Sequence, residues 1–405
     1  MSRREHPFHG LMLEAVSLAA KHKFQTGPNP CVGALLVRDG MIVACGAHKG
    51  AGMPHAEIEA LEDARRKGID PAQCVCLVTL EPCRHQGRTP PCTEALLAAG
   101  IKKLVVGALD PNPEASGGAE FLRARGLSVE CGAAEDECLD LISDFITWQT
   151  TDLPYTILKL ASTLDGRIAT RTGHSKWISS VQSRRHVHEL RRKVQAIIVG
   201  GNTFYRDDPI LTARLSDGEG TEEDLSPEQP LAVIATSRLP DADLPMRLLR
   251  KGRKRLIFWT TAALAAGPKA EQLRRKGVRV LGLTGDAPGN KHTANLRSEL
   301  DLRAGLVWLR ENLGCLHVLC EGGGRLGLYL LNKGLAGEFI LHLSPKILGD
   351  NDAVPLFNGL TPQSIDQALN LRLTETARLG PDIMLVMRPS RHEAKTPETP
   401  LCSPD

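Results

Sequence analysis

The chain has 405 residues, 42% hydrophobic and 24% charged, a length that accommodates about two to three domains of ordinary size. Lys plus Arg total 50 against 47 Asp plus Glu, and the formal charge of +3 is too small a surplus for a nucleic-acid footprint. Aromatic residues at 4% exclude extensive stacking platforms, so ligand recognition is expected to be largely hydrogen-bonded.

Helical spacing of Leu11, Ala15, Leu18 and Ala19 predicts an amphipathic helix over 9–24; Glu14 interrupts the apolar run and argues against a signal peptide. Strands follow at 32–37 and 41–44 about Asp39-Gly40, then a helix from His55, a strand at 75–79, a helix at 93–99 and a strand at 104–108. Helices are expected around Phe121 and over 135–148, and the pattern reads as a sheet with helices on both faces. The polar stretch 149–154 ends in a proline, which sets the first domain at 1–150. A second α/β domain, 151–388, restarts with strands at 155–160, 196–199, 231–235, 255–259, 278–283 and 317–320, separated by helices such as 183–193 and 271–276. Residues 216–230 are acidic and 389–405 proline-rich without apolar period; the first reads as mobile and the second as a disordered tail. No window approaches the roughly 18 apolar residues of a membrane span. Eleven cysteines, eight of them before residue 140, form no disulfide framework of a small secreted domain, which points to reduced thiols in a cytoplasm, some of them binding metal.

The strongest local signal is His55-Ala56-Glu57 at a helix start, with Pro82-Cys83 and Cys92 after a strand. One imidazole and two thiolates suit a tetrahedral zinc with its fourth position open to water, and a carboxylate two residues from the histidine can serve that water as base. This is the H-x-E with P-C-x-x-C signature of zinc nucleobase deaminases, except that eight residues separate Cys83 from Cys92. The alternative is that His55 caps a helix, Glu57 is solvated and the cysteines are buried small hydrophobes. His85, inside the loop, is a competing ligand; Cys31, Cys45, Cys74 and Cys76 read as packing residues. Later in the chain, Glu321-Gly322-Gly323-Gly324 sits between a strand and an apolar helix, where backbone N–H groups can hold phosphate, although it is no G-x-G-x-x-G and a packing turn would look the same. Gly200-Gly201 is a second such turn. The run 184–193, with five basic residues and two histidines, reads as a solvated face carrying one or two phosphate ligands or, alternatively, as a nucleic-acid helix.

Four motifs together resemble the deaminase half of the bifunctional riboflavin-biosynthesis deaminase-reductases: Pro28-Asn29-Pro30-Cys31-Val32-Gly33, Gly52-Met53-Pro54-His55-Ala56-Glu57, the stretch from Thr79 to Cys92, and Asp110-Pro111-Asn112-Pro113. Lys159-Leu160-Ala161-Ser162-Thr163-Leu164-Asp165-Gly166, Ser175-Lys176-Trp177-Ile178, the stretch from Asp207 to Arg214 and the Glu321–Gly324 turn resemble the reductase half in the same order. The resemblance spans about residues 9–388. It implies a cytidine-deaminase-like three-layer α/β/α domain followed by a dihydrofolate-reductase-like α/β domain. His55, Cys83 and Cys92 would hold one zinc, Glu57 would be catalytic, and Asn29, His48, Arg88, Asp110 and Asn112 would contact substrate. Ala161, Trp177, Thr203, Asp207 and Gly322, Gly323 and Gly324 would contact NADPH; Lys159, Ser175, Arg191, Leu211, Arg214 and Glu321 would hold a phosphoribosylated pyrimidine. Small-molecule substrates, no nucleic acid, no membrane and a homo-oligomer are expected. The chain departs from the family's usual residues at Cys31, where an asparagine able to bond substrate is common, and at Arg84, Gln86 and His174. Two rivals are a nucleic-acid base deaminase and a reductase carrying a structural zinc domain.

Overall fold

The computed structural model describes residues 6–84, 90–214, 228–283 and 300–390. The chain divides into two units, Met1–Asp152 and Leu153–Asp405.

The first unit runs α1 (His9–Ala20), β1 (Gly33–Arg38), β2 (Met41–Ala47), α2 (Ala56–Arg66), β3 (Val75–Leu80) and α3 (Cys92–Ala98). It continues through β4 (Lys103–Ala108), α4 (Gly118–Arg123), β5 (Ser128–Cys131), α5 (Glu135–Leu141) and α6 (Ser143–Thr150). The five strands order β2-β1-β3-β4-β5, with β1 antiparallel to both neighbours and β3, β4 and β5 parallel. Alternation along β1 explains the layers. Ala34 and Leu36 pack with Ala56, Ala60 and Ala64 of α2, Leu96 of α3 and Leu122 of α4, whereas Leu35 and Val37 pack with Met12 and Ala15 of α1 and Cys138 of α5. Covered on both faces, the strands read as continuous apolar runs and not as alternating ones. The expected helix 135–148 is two helices, broken at Ile142, and the first helix stops at Ala20, four residues early.

The second unit opens with β6 (Tyr155–Thr163), β7 (Arg167–Ala169), α7 (Val181–Arg192), β8 (Ala196–Gly200), α8 (Gly201–Asp207) and β9 (Leu231–Ala235). After α9 (Arg247–Lys251) come β10 (Leu256–Thr261), α10 (Ala262–Ala265), α11 (Pro268–Arg275), β11 (Arg279–Leu283) and α12 (Leu302–Leu313). The unit ends with β12 (His317–Cys320), α13 (Gly324–Asn332), β13 (Glu338–Ser344), β14 (Val354–Pro355), β15 (Leu371–Leu379) and β16 (Asp382–Pro389). Nine strands order β11-β10-β9-β8-β12-β6-β13-β16-β15; the strands from β11 to β13 are parallel, and β16 runs antiparallel to both of its neighbours. From β8 the chain steps outward to β11 and then returns to insert β12 between β8 and β6. That reversal is a topological switch point, the usual seat of a ligand crevice at the carboxyl ends of parallel strands. β13, β15 and β16 were not anticipated from local sequence. Of the segments expected to be mobile or disordered, 215–227 and 391–405 lie outside the described residues.

One close approach positions the first unit's site. A Cβ at Gly46 on β2 would stand 2.4 Å from both the Ala56 carbonyl oxygen and the Ala60 nitrogen of α2, so this glycine lets the helix carrying Glu57 lie against the sheet backbone. Gly46→Ala should therefore destabilise the unit by about 1–3 kcal/mol; a urea midpoint unchanged from wild type would show that the helix is seated otherwise.

Candidate active site

Two of the three expected metal ligands stand at helix N-termini. His55 is the N-cap residue of α2, Cys92 is the first residue of α3, and Cys83 follows β3. Helix N-termini favour negative charge, which suits thiolates and a neighbouring carboxylate. The His55 Nδ1 lies 3.2 Å from the Cys92 Sγ and 3.6 Å from the Cys83 Sγ, and all three donor atoms fall within 4.8 Å of one another. Tetrahedral bonds of about 2.0–2.3 Å place such donors roughly 3.5–3.8 Å apart, so the nitrogen and two sulfurs fit a zinc ion. The Cys92 backbone N–H donates to the Cys83 sulfur at 3.4 Å. The hydrogen bond from Cys92 pulls the Cys83 thiol down against the effect of burial, while Cys92 moves up, and a divalent cation would displace the protons from both.

Glu57, 4% exposed, lies on the first turn of α2, and burial raises its carboxyl above the usual range. Burial disfavours the charged form, while the neighbouring His55 pulls the other way, so this carboxyl holds its proton more readily than a solvated one and can act as a proton carrier. It lines a cavity of about 340 Å3 together with His55 and Cys83. Of the residues expected to contact substrate, Asn29, His48, Asp110 and Asn112 line that same cavity. His48 is bonded through Nδ1 to the Pro54 carbonyl oxygen at 3.0 Å, so its Nε2 is free to accept from Asn29 Nδ2 at 3.1 Å. Burial lowers the His48 pKa, which keeps this ring neutral. Arg88, His85 and Gln86 lie outside the described residues.

Cys31 packs as its apolar context predicts. Its thiol is buried and donates to the Ala19 carbonyl oxygen at 3.0 Å, and it is absent from the cavity wall formed by Pro28, Asn29, Pro30 and Val32. The residue that departs from the family pattern thus packs inward against α1 and removes no hydrogen bond from the cavity. Sequence reasoning missed Glu81, Phe145 and Gln149, which also line it. Glu81 is buried and accepts from the Asp110 N–H at 3.2 Å and the Ala119 N–H at 2.8 Å, anchoring the segment that carries Asp110 and Asn112. Its place directly before Pro82-Cys83 was a usable signal; Phe145 and Gln149 reach the wall from α6, and no local pattern marks them.

In the second unit the two glycine turns meet at the switch point. A Cβ on Gly322 would come within 3.3 Å of the Gly200 nitrogen, and one on Gly324 would come within 1.8 Å of the Leu356 carbonyl oxygen, while Gly323 faces open space. Gly323 caps α13 without a side-chain hydrogen bond, which leaves backbone N–H groups for a diphosphate. The residues present therefore fit a dinucleotide. Ala161 lies near the carboxyl end of β6, Thr203 and Asp207 lie on α8, and Trp177 and Ser175 lie on the segment before α7.

Arg191 and Glu321 are joined to each other: Nε and one terminal nitrogen each donate at 2.7 Å to the carboxylate, and the other donates to the Thr212 carbonyl oxygen at 3.0 Å. This ion pair occupies most of the guanidinium donors expected to grip phosphate, because burial demands that both charges be matched. Lys159 is buried beside it on β6, and burial lowers its pKa to about 8 against the pull of Glu321. The Leu211 side chain is also buried, so a contact from this residue with substrate would run through its backbone. Its carbonyl oxygen accepts from Arg255 at 2.9 Å. The basic run 184–193 forms α7, which buries Val187 and Leu190 and turns Arg191 inward; it is not a uniformly solvated basic face.

Residues 8–108 match the model of the cytidine and deoxycytidylate deaminase zinc-binding region, and residues 154–385 match that of the RibD C-terminal domain. A riboflavin biosynthesis protein RibD from Aquifex aeolicus is 40% identical over 375 residues, covering 92% of this chain and 96% of the relative. The Escherichia coli RibD is 35% identical over 381 residues, covering 92% and 97%. A solved diaminohydroxyphosphoribosylaminopyrimidine deaminase/5-amino-6-(5-phosphoribosylamino)uracil reductase from Thermotoga maritima is 33% identical, covers 94% of this chain and 98% of its own, and superposes with a TM-score of 0.70. Fold, site and matches define a two-module enzyme, a zinc-type deaminase domain followed by a reductase domain. The chain belongs to the RibD family, the bifunctional deaminases and reductases of riboflavin biosynthesis.

Cys83→Ser replaces a soft thiolate by a hydroxyl that binds zinc poorly. Elemental analysis should find one zinc per wild-type chain and a large deficit in the variant; equal content would remove Cys83 from the ligand set.

Proposed function

We propose that the first unit hydrolytically deaminates 2,5-diamino-6-(5-phosphoribosylamino)pyrimidin-4(3H)-one and that the second reduces the ribosyl side chain of the product with NADPH, giving 5-amino-6-(5-phosphoribitylamino)uracil. The observation that carries the reading is the buried Glu57 beside the His55, Cys83 and Cys92 donors on the wall of one cavity. A zinc ion held by these three residues would supply Lewis acidity to an attacking water. Glu57 takes a proton from that water as it adds to C2 of the ring and delivers it to the 2-amino group, so the C–N bond breaks and ammonia leaves. Neutral His48, held by Pro54 and Asn29, together with Asp110 and Asn112, supplies the polar wall that orients the pyrimidine.

In the second unit the Gly322–Gly324 turn and the start of α13 would hold the diphosphate of NADPH, with Ala161, Trp177, Thr203 and Asp207 around the rest of the cofactor. Ser175, Arg214 and the Leu211 backbone would meet the phosphoribosyl substrate. Reduction delivers a hydride to C1′ as the C1′–O4′ bond of the ribose ring opens, and the released O4′ takes up one proton to become a hydroxyl. Lys159 is the group suited to supply that proton, a buried ammonium whose pKa of about 8 makes it an acid near neutrality. The Arg191–Glu321 pair fixes the field around that ammonium. The reading includes domains at 1–150 and 151–388, a cytoplasmic location and a homo-oligomeric assembly; free thiols at all ten described cysteines support a reducing compartment. The small net charge and the small-molecule dimensions of the cavity favour this reading over a nucleic-acid deaminase.

Glu57→Gln should retain zinc and lose ammonia release by about 10²–10⁴-fold; an undiminished rate with metal bound would reduce the first unit to a structural zinc domain. For the reductase, the acid form of Lys159 is present below its lowered pKa and vanishes above it, so kcat/KM should fall as pH rises through about 8. Lys159→Met should lack that limb, and a profile identical to wild type would exclude Lys159 as the acid.

A further inference from the structure

The segment that carries Ser175 and Trp177 has neither helix nor strand to hold it, and the Trp177 indole is 60% exposed. A single distant side chain binds its backbone twice. The Lys346 Nζ donates to the Trp177 carbonyl oxygen at 2.6 Å and to the Ile178 carbonyl oxygen at 3.0 Å. Further along, Arg184 stacks over the Trp177 ring at 4.4 Å and donates to the Ser179 carbonyl oxygen at 2.8 Å. Asp382 accepts the Ser180 N–H at 2.7 Å. The Ile178 N–H donates to the Ser175 carbonyl oxygen at 3.1 Å within the segment, and Lys346 is the distant side chain that binds the peptide on which the indole stands.

Lys346 is itself anchored. Its carbonyl oxygen accepts the Leu164 N–H at 2.7 Å, and the Asp165 carboxylate accepts the N–H groups of Leu348 and Gly349 at 3.2 and 2.9 Å. Arg171 then grips Asp350 through two bonds of 2.7 and 2.6 Å. The same segment runs on to Leu356, whose N–H donates to the Gly166 carbonyl oxygen at 2.8 Å and whose own carbonyl oxygen fills the space beside Gly324. Residues 346–356 therefore tie the Trp177 peptide at one end to the glycine turn at the other.

We propose that Lys346 is a positioning residue of the reductase cleft: by binding the Trp177 and Ile178 carbonyls it sets the indole as a fixed wall against the nicotinamide cofactor. The inference rests on the reading that Trp177 and the Gly322–Gly324 turn hold NADPH. An ammonium on a flexible stem can donate to two adjacent carbonyls at once, and that double bond fixes the peptide plane and with it the direction of the side chain. Lys346 is exposed, so its removal hands both carbonyls to water and costs order in the segment, leaving the fold intact.

The test measures NADPH binding by titration calorimetry, alongside steady-state kinetics, on Lys346→Met, Lys346→Arg, Trp177→Ala and the Lys346→Met/Trp177→Ala double variant. Losing two charge-assisted bonds at an exposed site should weaken NADPH binding and raise its KM about tenfold. Reductase kcat, melting temperature and ammonia release by the first unit should stay near wild type. Lys346→Arg should recover most of the affinity. Trp177→Ala should weaken binding as well, and adding Lys346→Met to it should cost little more, because the lysine acts through the indole. If Trp177→Ala weakens binding while Lys346→Met binds as wild type, or if the two losses add in full, the positioning role is overturned. If neither variant changes NADPH affinity, the reading of Trp177 as a cofactor residue fails, and the inference fails with it.

Discussion

The deaminase unit depends on the convergence of one nitrogen and two sulfurs at the starts of two helices and the end of a strand. Each element is carried there by apolar packing: α2 lies on β1 and β2 through Ala56, Ala60, Ala64 and the close approach at Gly46, and α3 is seated by Leu96 in the same cluster. The helix dipoles then favour the charge state that a soft cation needs, and the Cys83 thiol, pulled down by its bond from Cys92, is the readier of the two to ionise. Glu57 belongs to the same turn of α2 as His55, so a single helix start places both a ligand and a base.

The reductase unit solves a different problem with the same economy of elements. Parallel strands end on one edge, two glycine turns abut there, and a buried Lys159–Arg191–Glu321 group lies just beneath that edge. Burial of the Lys159 ammonium outweighs the pull of two carboxylates, Glu321 and Asp382, and Arg191 adds to the depression. The ion pair takes Arg191 and Glu321 together, and Lys159 is left with a depressed pKa, the condition under which a lysine becomes an acid useful near neutrality.

Much of the first site was readable because its residues lie in short, dense motifs. His55-Ala56-Glu57 and Pro82-Cys83 need only local geometry, and Asn29, His48, Asp110 and Asn112, which lie in the other motifs, line the same cavity. Phe145 and Gln149 were invisible because α6 returns to the cavity from far along the chain. Cys31 reads as a packing residue and is one, but which helix it packs against, α1, is decided only by the fold. In the second unit the Gly380-Pro381 turn between β15 and β16 was a usable signal that went unread, whereas the engagement of Arg191 with Glu321, 130 residues apart, has no local trace.

Residue chemistry and short-range spacing determined, from the amino-acid order alone, that the chain carries a soft-metal site with an adjacent carboxylate and two α/β domains, since ligand softness and apolar period are local properties. Tertiary structure decided which groups share a charge layer, which carbonyls a distant lysine or arginine captures, and which side chains face a cavity. Those are pairings across long chain separations, and strand order and helix packing bring them together where sequence distance carries no information.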